Sequence, residues 1–258
     1  MGVKSLKAGA CFWILTTLPF SLVAQLSDGD VELFTVTKAA AEKGNDRAQY
    51  DLGVLYGIGK GVATNQAEAL KWMQCAAEQG NPRAENVLGF HYAVGKGVPK
   101  DEMAAAKLFQ KSADQGWAEG QHRLGCCYME GRGVAKSGKD AVKWLKRAAD
   151  QDYHDAEYQL GCLFLTGNLI EKNEAEGVQW LRRAAKGGQT IAQYNLGIAF
   201  INGTGVSKDL VQGHKWLSLA AAQGQKDPAA LAALEKIMTP KQRKEAERLE
   251  REFKRPAD

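Results

Sequence analysis

The sequence predicts an all-α solenoid built from stacked pairs of antiparallel helices, and three observations support this prediction. A Leu-Gly pair recurs every 36 residues without insertion or deletion, at Leu52-Gly53, Leu88-Gly89, Leu124-Gly125, Leu160-Gly161 and Leu196-Gly197. Each copy contains two segments whose apolar residues are three to four positions apart, as on one face of a helix. A repeat of this length is typical of helical hairpins that stack side by side, so one elongated array is expected.

The N-terminus has the pattern of a secretory leader. Two lysines precede an apolar run from Ala8 to Phe20, and Leu22-Val23-Ala24 precedes Gln25. The run is short for a membrane span. We therefore predict a signal peptide over residues 1–24 that is cleaved after Ala24, with an uncleaved anchor as the alternative. Cleavage would place the mature chain in the periplasm or outside the cell.

Charge and cysteine content restrict the possible partners and cross-links. Lys and Arg outnumber Asp and Glu by only 34 to 30, which gives no electrostatic reason to expect a nucleic-acid partner. Cys126 and Cys162 occupy the same repeat position, so stacking would separate their Cα atoms by ~8–10 Å, beyond disulfide reach. We expect mostly free thiols in the mature chain, and a Cys127–Cys162 bridge is the alternative.

The repeat defines the order of the elements along the chain. Residues 31–44 match only the second half of the unit. We therefore predict that residues 25–44 form an N-terminal half-repeat that caps the array. Five full units follow over residues 45–224. They are 45–80, 81–116, 117–152, 153–188 and 189–224.

The first helix of each unit is predicted from an apolar column and from its terminator. In unit one the helix covers about 46–57, with Ala48, Leu52 and Tyr56 on one stripe. Glycine follows each first helix, since it enters the left-handed conformation at low cost. These glycines are Gly59, Gly95, Gly131, Gly167 and Gly203.

The second helix of each unit begins at a good N-cap residue. The N-caps are Asn65, Asp101, Ser137, Asn173 and Asp209. Four units then place a tryptophan at one position, and we expect these rings in the core: Trp72, Trp144, Trp180 and Trp216. Gly177 and Gly213 lie inside second helices, where each costs roughly 1 kcal/mol relative to alanine, so we expect the partner helix to pack closely there.

Residues 225–258 depart from the repeat and predict capping helices. Asp227-Pro228 is an N-cap followed by proline at the first helical position, and Thr239 with Gln242 forms a capping-box pattern. The last helix is strongly charged and has a sparse apolar stripe of Ala246, Leu249 and Phe253.

The unit A-x-x-x-L-G-x-x-[YF]-x-x-G-x-G-V, followed by A-x-x-W-x-x-x-A-A-x-x-G, resembles the Sel-one-like (Sel1-like) repeat, a relative of the tetratricopeptide repeat. The resemblance covers residues 31–254, and the closing segment MTPKQRKEAERLERE is similar to the end of secreted bacterial members. It implies a right-handed superhelix that binds other proteins or acts as an adaptor, and it implies no chemistry. Three departures put local geometry in question: Leu108 replaces the tryptophan in unit two, Asp152 replaces a glycine in unit three, and the turn after Gly167 lacks its second glycine.

No motif predicts catalysis, a metal or a cofactor. Some cysteine-rich members of the family are described as β-lactamase-like, but a serine acyl-enzyme of that class needs Ser-x-x-Lys, which the sequence lacks. The four histidines occupy four different repeat positions and form no His-x-His or His-Glu-x-x-His pattern. A cluster of Cys126 and Cys127 with His91 or His122 is the one metal-like grouping to consider. We predict a protein that is not an enzyme, with a β-lactamase-like hydrolase as an alternative.

The candidate binding surface is a second stripe on the first helices, which we name the first-helix stripe. In unit one it consists of Tyr50, Val54 and Gly57, and the later units contribute Asn86, Phe90, Ala93, His122, Cys126, Met129, Tyr158, Cys162, Leu165, Tyr194, Ile198 and Ile201. If first helices line the concave side, the stripe is an apolar groove that suits an extended peptide or a partner helix. The alternative is packing against the neighbouring unit. The partner-binding candidates are Tyr50, Asn86, Phe90, His122, Tyr158, Tyr194 and Ile198.

A basic row on the turns suggests a further alternative. Lys60, Lys96 and Arg132 hold equivalent positions and could bind an acidic polysaccharide, although solvated turn charges are the more common case. We therefore expect a monomeric, non-catalytic scaffold of the cell envelope whose partner is another protein or peptide. A polysaccharide-associated envelope factor is the alternative.

Overall fold

A computed structural model describes residues 27–225 and 227–254, and helices with short turns make up this part of the chain, with no strand within those ranges. The helices are α1 (Asp28–Glu42), α2 (Asp46–Ile58), α3 (Gln66–Glu78), α4 (Pro82–Val94), α5 (Glu102–Asp114), α6 (Ala118–Glu130), α7 (Gly138–Ala149), α8 (His154–Thr166), α9 (Glu174–Lys186), α10 (Thr190–Asn202), α11 (Leu210–Ala222), α12 (Pro228–Ile237) and α13 (Pro240–Lys254). The predicted leader and its cleavage site after Ala24 lie outside the described residues. Of the helices that the structure describes, none combines the length and apolar character needed to cross a membrane.

The chain divides into two compact units, up to Ala84 and from Glu85 onward. In the first unit, α2 packs against both α1 and α3. In the second unit, each helix from α5 to α11 packs on the next one, and α11 also contacts α12 and α13. Packing between sequence neighbours is the organisation of a solenoid, so the predicted all-α solenoid of 36-residue repeats is confirmed.

Both ends of the repeated helices are as predicted. The glycines that follow the first helices are left-handed, with φ between 67° and 76° at Gly59, Gly95, Gly131, Gly167 and Gly203. The side chain of each predicted N-cap accepts a backbone N–H from the first turn of a second helix, at Asn65, Asp101, Ser137, Asn173 and Asp209. These local signals therefore set where each helix begins and ends.

Close helix contacts explain the glycines inside second helices. A Cβ added at Gly177 would lie 2.8 Å from Cγ of Leu165, and one at Gly213 would lie 2.6 Å from Cγ1 of Ile201. The expected close packing is confirmed, because a side chain of the facing first helix fills the space that a methyl group would need.

The tryptophan column is buried only in part. Trp144 and Trp216 are core residues, as predicted. Trp72 and Trp180 are half-buried, so they are less buried than predicted, although Trp180 still packs against the core cluster that contains Leu145 and Leu160. The indole of Trp180 donates to Oε1 of Glu176 at 3.3 Å and lies under the guanidinium of Arg183, polar contacts that suit an exposed edge.

Two departures from the repeat keep the local fold by other means. Asp152 adopts a left-handed conformation with φ of 56°, as the glycine at this position does in other units. In unit four, Leu169 and Ile170 of the altered turn pack against the core cluster that contains Leu145 and Leu160. Apolar packing therefore takes the place of the second glycine in this turn.

A polar ladder runs through the buried faces of the repeats. It consists of one buried residue on each first helix, namely Gln49, Glu85, Gln121, Glu157 and Gln193. In four units a glutamine 30 residues later donates its amide to this residue at 2.7–3.1 Å; these donors are Gln79, Gln115, Gln151 and Gln223. The amides of Gln49, Gln121 and Gln193 in turn donate to a carbonyl of the preceding helix, so these buried amides are satisfied at both ends.

Unit four builds its step of the polar ladder from different residues. Gly187 stands where the other units have the donor glutamine, and a Cβ there would overlap the imidazole of His154. Nδ1 of His154 lies 3.0 Å from the Glu157 carboxylate, and Nε of Arg183 lies 2.8 Å from it. A second guanidinium nitrogen of Arg183 donates to the carbonyl of Ala149 at 2.8 Å, the bond that a glutamine at position 157 would make.

The C-terminal helices close the second unit. Thr239 and Gln242 form the predicted capping box, with N–H to side-chain distances of 2.9 and 3.2 Å. Phe253 of α13 packs edge-on against Trp216, with ring centroids 5.2 Å apart. Ala246 is fully buried, so the sparse apolar stripe of this charged helix is its contact face.

Candidate functional site

The C-terminal helices cover the last part of the first-helix stripe. Tyr194, Ile198 and Ile201 pack against a cluster that includes Leu234 and Met238. The hydroxyl of Tyr194 donates to Oδ2 of Asp227 at 2.8 Å. Here the stripe packs against the C-terminal capping helices, whereas the expected alternative to partner binding was packing against the neighbouring unit.

The rest of the stripe varies in exposure. Tyr50, His122 and Tyr158 are half-buried and Asn86 is buried, whereas Phe90 is 40% exposed. Tyr158 bonds to Cys162 and Asn195, and burial raises the pKa of its hydroxyl to about 12. Phe90 is therefore the candidate whose apolar surface is most available to a partner.

A cavity of about 230 Å³ opens in the second unit between α4, α5 and α6. Its apolar walls are Phe90, Ala93, Val94, Ala105, Phe109, Cys126 and Cys127. Phe109 is buried, whereas Val94 is 52% exposed at the rim. His122 also lines the cavity, so the structure brings two of the seven predicted partner-binding residues, Phe90 and His122, to one site.

Two small residues line the cavity at repeat positions where units four and five have a larger side chain packed against glycine. In unit four Leu165 fills the space beside Gly177, and in unit five Ile201 fills the space beside Gly213. The equivalent residues of unit two are Ala93 and Ala105, both of which line the cavity. The side-chain volume that closes the later units is therefore absent here.

Charged groups border the cavity. The guanidinium of Arg123 lies over the ring of Phe90 at 5.0 Å and near Phe109 at 5.9 Å, and it pairs with Glu119 at 2.7 Å. The carboxylate of Glu102 pairs with Lys100 at 2.7 Å, and this lysine lowers the pKa of Glu102. The opening thus offers both an apolar surface and planar cationic groups.

His122 and Cys126 are held in their neutral forms. The His122 Nε2 atom lies 3.5 Å from Sγ of Cys126. Burial lowers the pKa of His122 and raises the pKa of the Cys126 thiol to about 12. A neutral thiol beside a neutral imidazole is a poor nucleophile. The pair therefore contributes a weakly polar part of the cavity wall.

The other histidines and cysteines have ordinary structural surroundings. His91 contacts the carbonyl of Lys96, His154 contacts Glu157, and His214 contacts Glu235. Cys75, Cys126, Cys127 and Cys162 are free thiols. Within the described ranges, no three His, Cys, Asp or Glu side chains are grouped to hold a metal ion.

Two members of the predicted basic row have acidic partners. Lys60 lies 3.4 Å from Asp30 in the first unit, and Arg132 lies 2.6 Å from Glu130 in the second. Ion pairs of this kind reduce the positive potential that a polyanion would meet.

The sequence reasoning missed Arg123 and Phe109. Phe109 occupies a column that is otherwise aliphatic, with Met73, Leu145, Leu181 and Leu217, and that irregularity was a usable signal. Arg123 belongs to a column without any pattern. Only the fold shows that its guanidinium stacks on Phe90.

Comparisons with known proteins agree with this architecture. The Sel1 repeat model matches residues 46–81, 82–117, 118–153, 154–189 and 190–225. A Sel1 repeat protein from Oxalobacter formigenes is 36% identical, with 73% of this chain and 55% of that one covered and a TM-score of 0.67. A protective antigen present in uropathogenic Escherichia coli strains, with an SLR fold, is 27% identical, with 87% and 56% covered and a TM-score of 0.55.

An immunity protein from Pseudomonas aeruginosa shares the fold at 21% identity, with 78% of this chain and 79% of that one covered and a TM-score of 0.50. The chain spans a little over half the length of the Oxalobacter and Escherichia proteins. No curated protein matches the chain.

Proposed function

Because this chain belongs to the Sel1 repeat family, whose members generally mediate protein–protein interaction, we propose that it is a non-catalytic scaffold of the cell envelope. It binds a partner protein through the first-helix stripe, centred on the cavity between α4, α5 and α6. Sel1 repeat scaffold proteins are typically non-catalytic, which agrees with the neutral, buried surroundings of Cys126 and His122.

The cavity is the observation that carries this proposal. Phe90 and Val94 remain 40% and 52% exposed at its rim, where burial by a partner would be favourable at about 25 cal/mol per Å² of apolar area. Interfaces are commonly anchored where a side chain of one partner fills a preformed pocket of the other. Of the stripe's candidates, Tyr194 and Ile198 already contact the C-terminal helices, so the binding region narrows to the units around the cavity.

The paired basic row favours a protein partner over an acidic polysaccharide. Lys60 and Arg132 each have a carboxylate within salt-bridge distance. A glycan would have to compete with these carboxylates, whereas an apolar anchor in the cavity meets no such competition.

The envelope location is supported by the leader pattern of residues 1–24. Its test is fractionation of the native host, followed by N-terminal sequencing of the protein. We expect a periplasmic or secreted chain that starts at Gln25. A cytoplasmic chain that retains residues 1–24 would refute the location without affecting the binding proposal.

The binding proposal is tested by site-specific photo-cross-linking. A benzophenone amino acid replaces Phe90 at the cavity, and the matched control carries it at Met103, which is 66% exposed and apolar but is not part of the cavity. After irradiation of living cells, we expect one protein to be cross-linked at position 90 and not at position 103. The same adducts at both positions, or none at position 90, would contradict the proposal.

A further inference from the structure

We infer that the cavity between α4, α5 and α6 holds one aromatic side chain of an extended partner peptide that carries a carboxylate next to this side chain. The inference rests on the proposed function and specifies the chemistry of the partner at that site.

The size of the cavity selects a side chain. Pockets for free cofactors and drug-sized ligands usually measure about 300–1,000 Å³, whereas this cavity measures about 230 Å³. An apolar cavity of roughly 150 Å³ is sufficient to bind benzene. The space therefore suits a single ring with its linking carbon atoms, and it is too small for a typical cofactor.

The walls favour an aromatic occupant. Phe90 and Phe109 contribute rings to the lining, and the guanidinium of Arg123 lies within 6 Å of both. Aromatic pairs in edge-to-face or offset arrangements gain energy beyond simple burial. A planar guanidinium also attracts the face of a further ring.

The charge of the lining favours an acidic neighbour. Arg123 and Arg132 face the cavity together with one carboxylate, Glu102. The carboxylates that pair with the two arginines, Glu119 and Glu130, are not part of the lining. Lys100, which pairs with Glu102, is not part of the lining either, so the paired charges around the cavity balance. A guanidinium has five N–H donors, more than one carboxylate accepts, so Arg123 and Arg132 can also bind a carboxylate of an incoming peptide. A lysine or arginine beside the anchor would instead bring a like charge against them.

A partner protein is the expected source of the ring. A second copy of this chain would also offer aromatic side chains, so the experiment includes an outcome that identifies it.

The test uses three small probes that separate ring from charge. Solution NMR measures the binding of 3-phenylpropionate, 2-phenylethylammonium and hexanoate to the full mature chain. We expect 3-phenylpropionate to bind at the cavity with a dissociation constant on the order of 1 mM, as its size allows. We expect the other two to bind at least about threefold more weakly, since each lacks one of the two matched features.

A cavity-filling variant provides the decisive comparison. Ala93→Leu copies the residue that closes unit four, Leu165, and should weaken 3-phenylpropionate binding at least about tenfold. Ala67→Leu, at an exposed position of α3, is the matched control and should bind like the wild type. Both variants are checked for folding by circular dichroism.

Three results would overturn the inference. They are binding of 2-phenylethylammonium that equals or exceeds that of 3-phenylpropionate, unchanged binding to Ala93→Leu, and a concentration-dependent dimer that Ala93→Leu abolishes. Failure of the probes together with cross-linking at position 90 removes this inference and leaves the proposed function. Selective probe binding without any cross-link at position 90 removes the proposed function instead.

Discussion

Two glutamates of the polar ladder hold equivalent repeat positions, and their replacement by glutamine should change the stability of the fold in opposite directions. Glu85 and Glu157 are both buried on first helices, but their surroundings differ. Glu85 accepts one neutral amide bond from Gln115 at 2.8 Å. Glu157 contacts both Arg183 and His154. We predict that Glu85→Gln stabilises the fold at pH 7 and that Glu157→Gln destabilises it.

The magnitudes follow from these contacts. Burial raises the pKa of Glu85, so its ionised form costs stability at neutral pH, and a glutamine that keeps the acceptor should gain about 0.5–1 kcal/mol. Hydrogen bonds to charged groups contribute about 1.5–3 kcal/mol. Of the contacts that Glu157 makes with Arg183 and His154, Glu157→Gln weakens one and loses the other. Because Arg183 is 44% exposed, we expect the free energy of unfolding to fall by only about 2 kcal/mol.

The sign of the pH dependence provides a second check. A carboxyl whose folded-state pKa is raised has its full stabilising effect below the unfolded pKa of about 4.3 and loses it as the pH rises through the folded pKa. The advantage of Glu85→Gln should therefore be present at pH 7 and absent at pH 4.

The assay is urea unfolding followed by circular dichroism at both pH values, with the exposed Glu171→Gln as control for loss of a surface carboxylate. The reasoning is refuted if Glu85→Gln and Glu157→Gln shift the free energy of unfolding in the same direction at pH 7.

Three further predictions concern other parts of the chain. Gly213→Ala should lower the free energy of unfolding by about 1–2 kcal/mol, because the added methyl group would overlap Ile201. Alanine is normally the better helix former, so a variant that is more stable in urea unfolding would contradict the close packing. Burial lowers the pKa of His122, so stability should decrease as the pH falls below about 6.5, and His122→Asn should show a flatter urea midpoint between pH 7.5 and 5. The native Cys126 thiol, with a pKa of about 12, should react with iodoacetamide at pH 8 at least about a hundredfold more slowly than in denaturant; equal rates by mass spectrometry would show that it is accessible as thiolate.

The repeated helices could be predicted from the sequence because each is specified by local signals. Asn65 caps α3 and Gly59 ends α2, and both signals act within a few residues of where they stand. Their recurrence every 36 residues made the solenoid evident without any tertiary information.

Contacts outside the repeat could not be predicted in the same way. Asp227 accepts a hydrogen bond from the hydroxyl of Tyr194. Because Asp227 lies beyond the last unit, it belongs to no column of the repeat, and the repeat pattern could not predict this contact. The cavity is likewise lined in part by a small residue, Ala93, which a search for large apolar residues overlooks. The polar ladder was present in the sequence as a column of Gln and Glu, but reasoning that followed apolar columns did not detect it.

The polar ladder has a consequence for how such arrays can grow. Within a unit, the side-chain pair, such as Gln121 with Gln151, belongs to one copy of the repeat. Between units, the amide of Gln121 donates to a main-chain carbonyl, that of Ala113, which every amino acid possesses. The hydrogen bond between units therefore does not depend on which side chain the neighbouring copy carries. The altered residues of unit four also lie inside one matched copy, residues 154–189; they are His154, Glu157, Arg183 and Gly187. Duplication or loss of a whole unit would therefore leave no amide of the polar ladder without a hydrogen-bond partner.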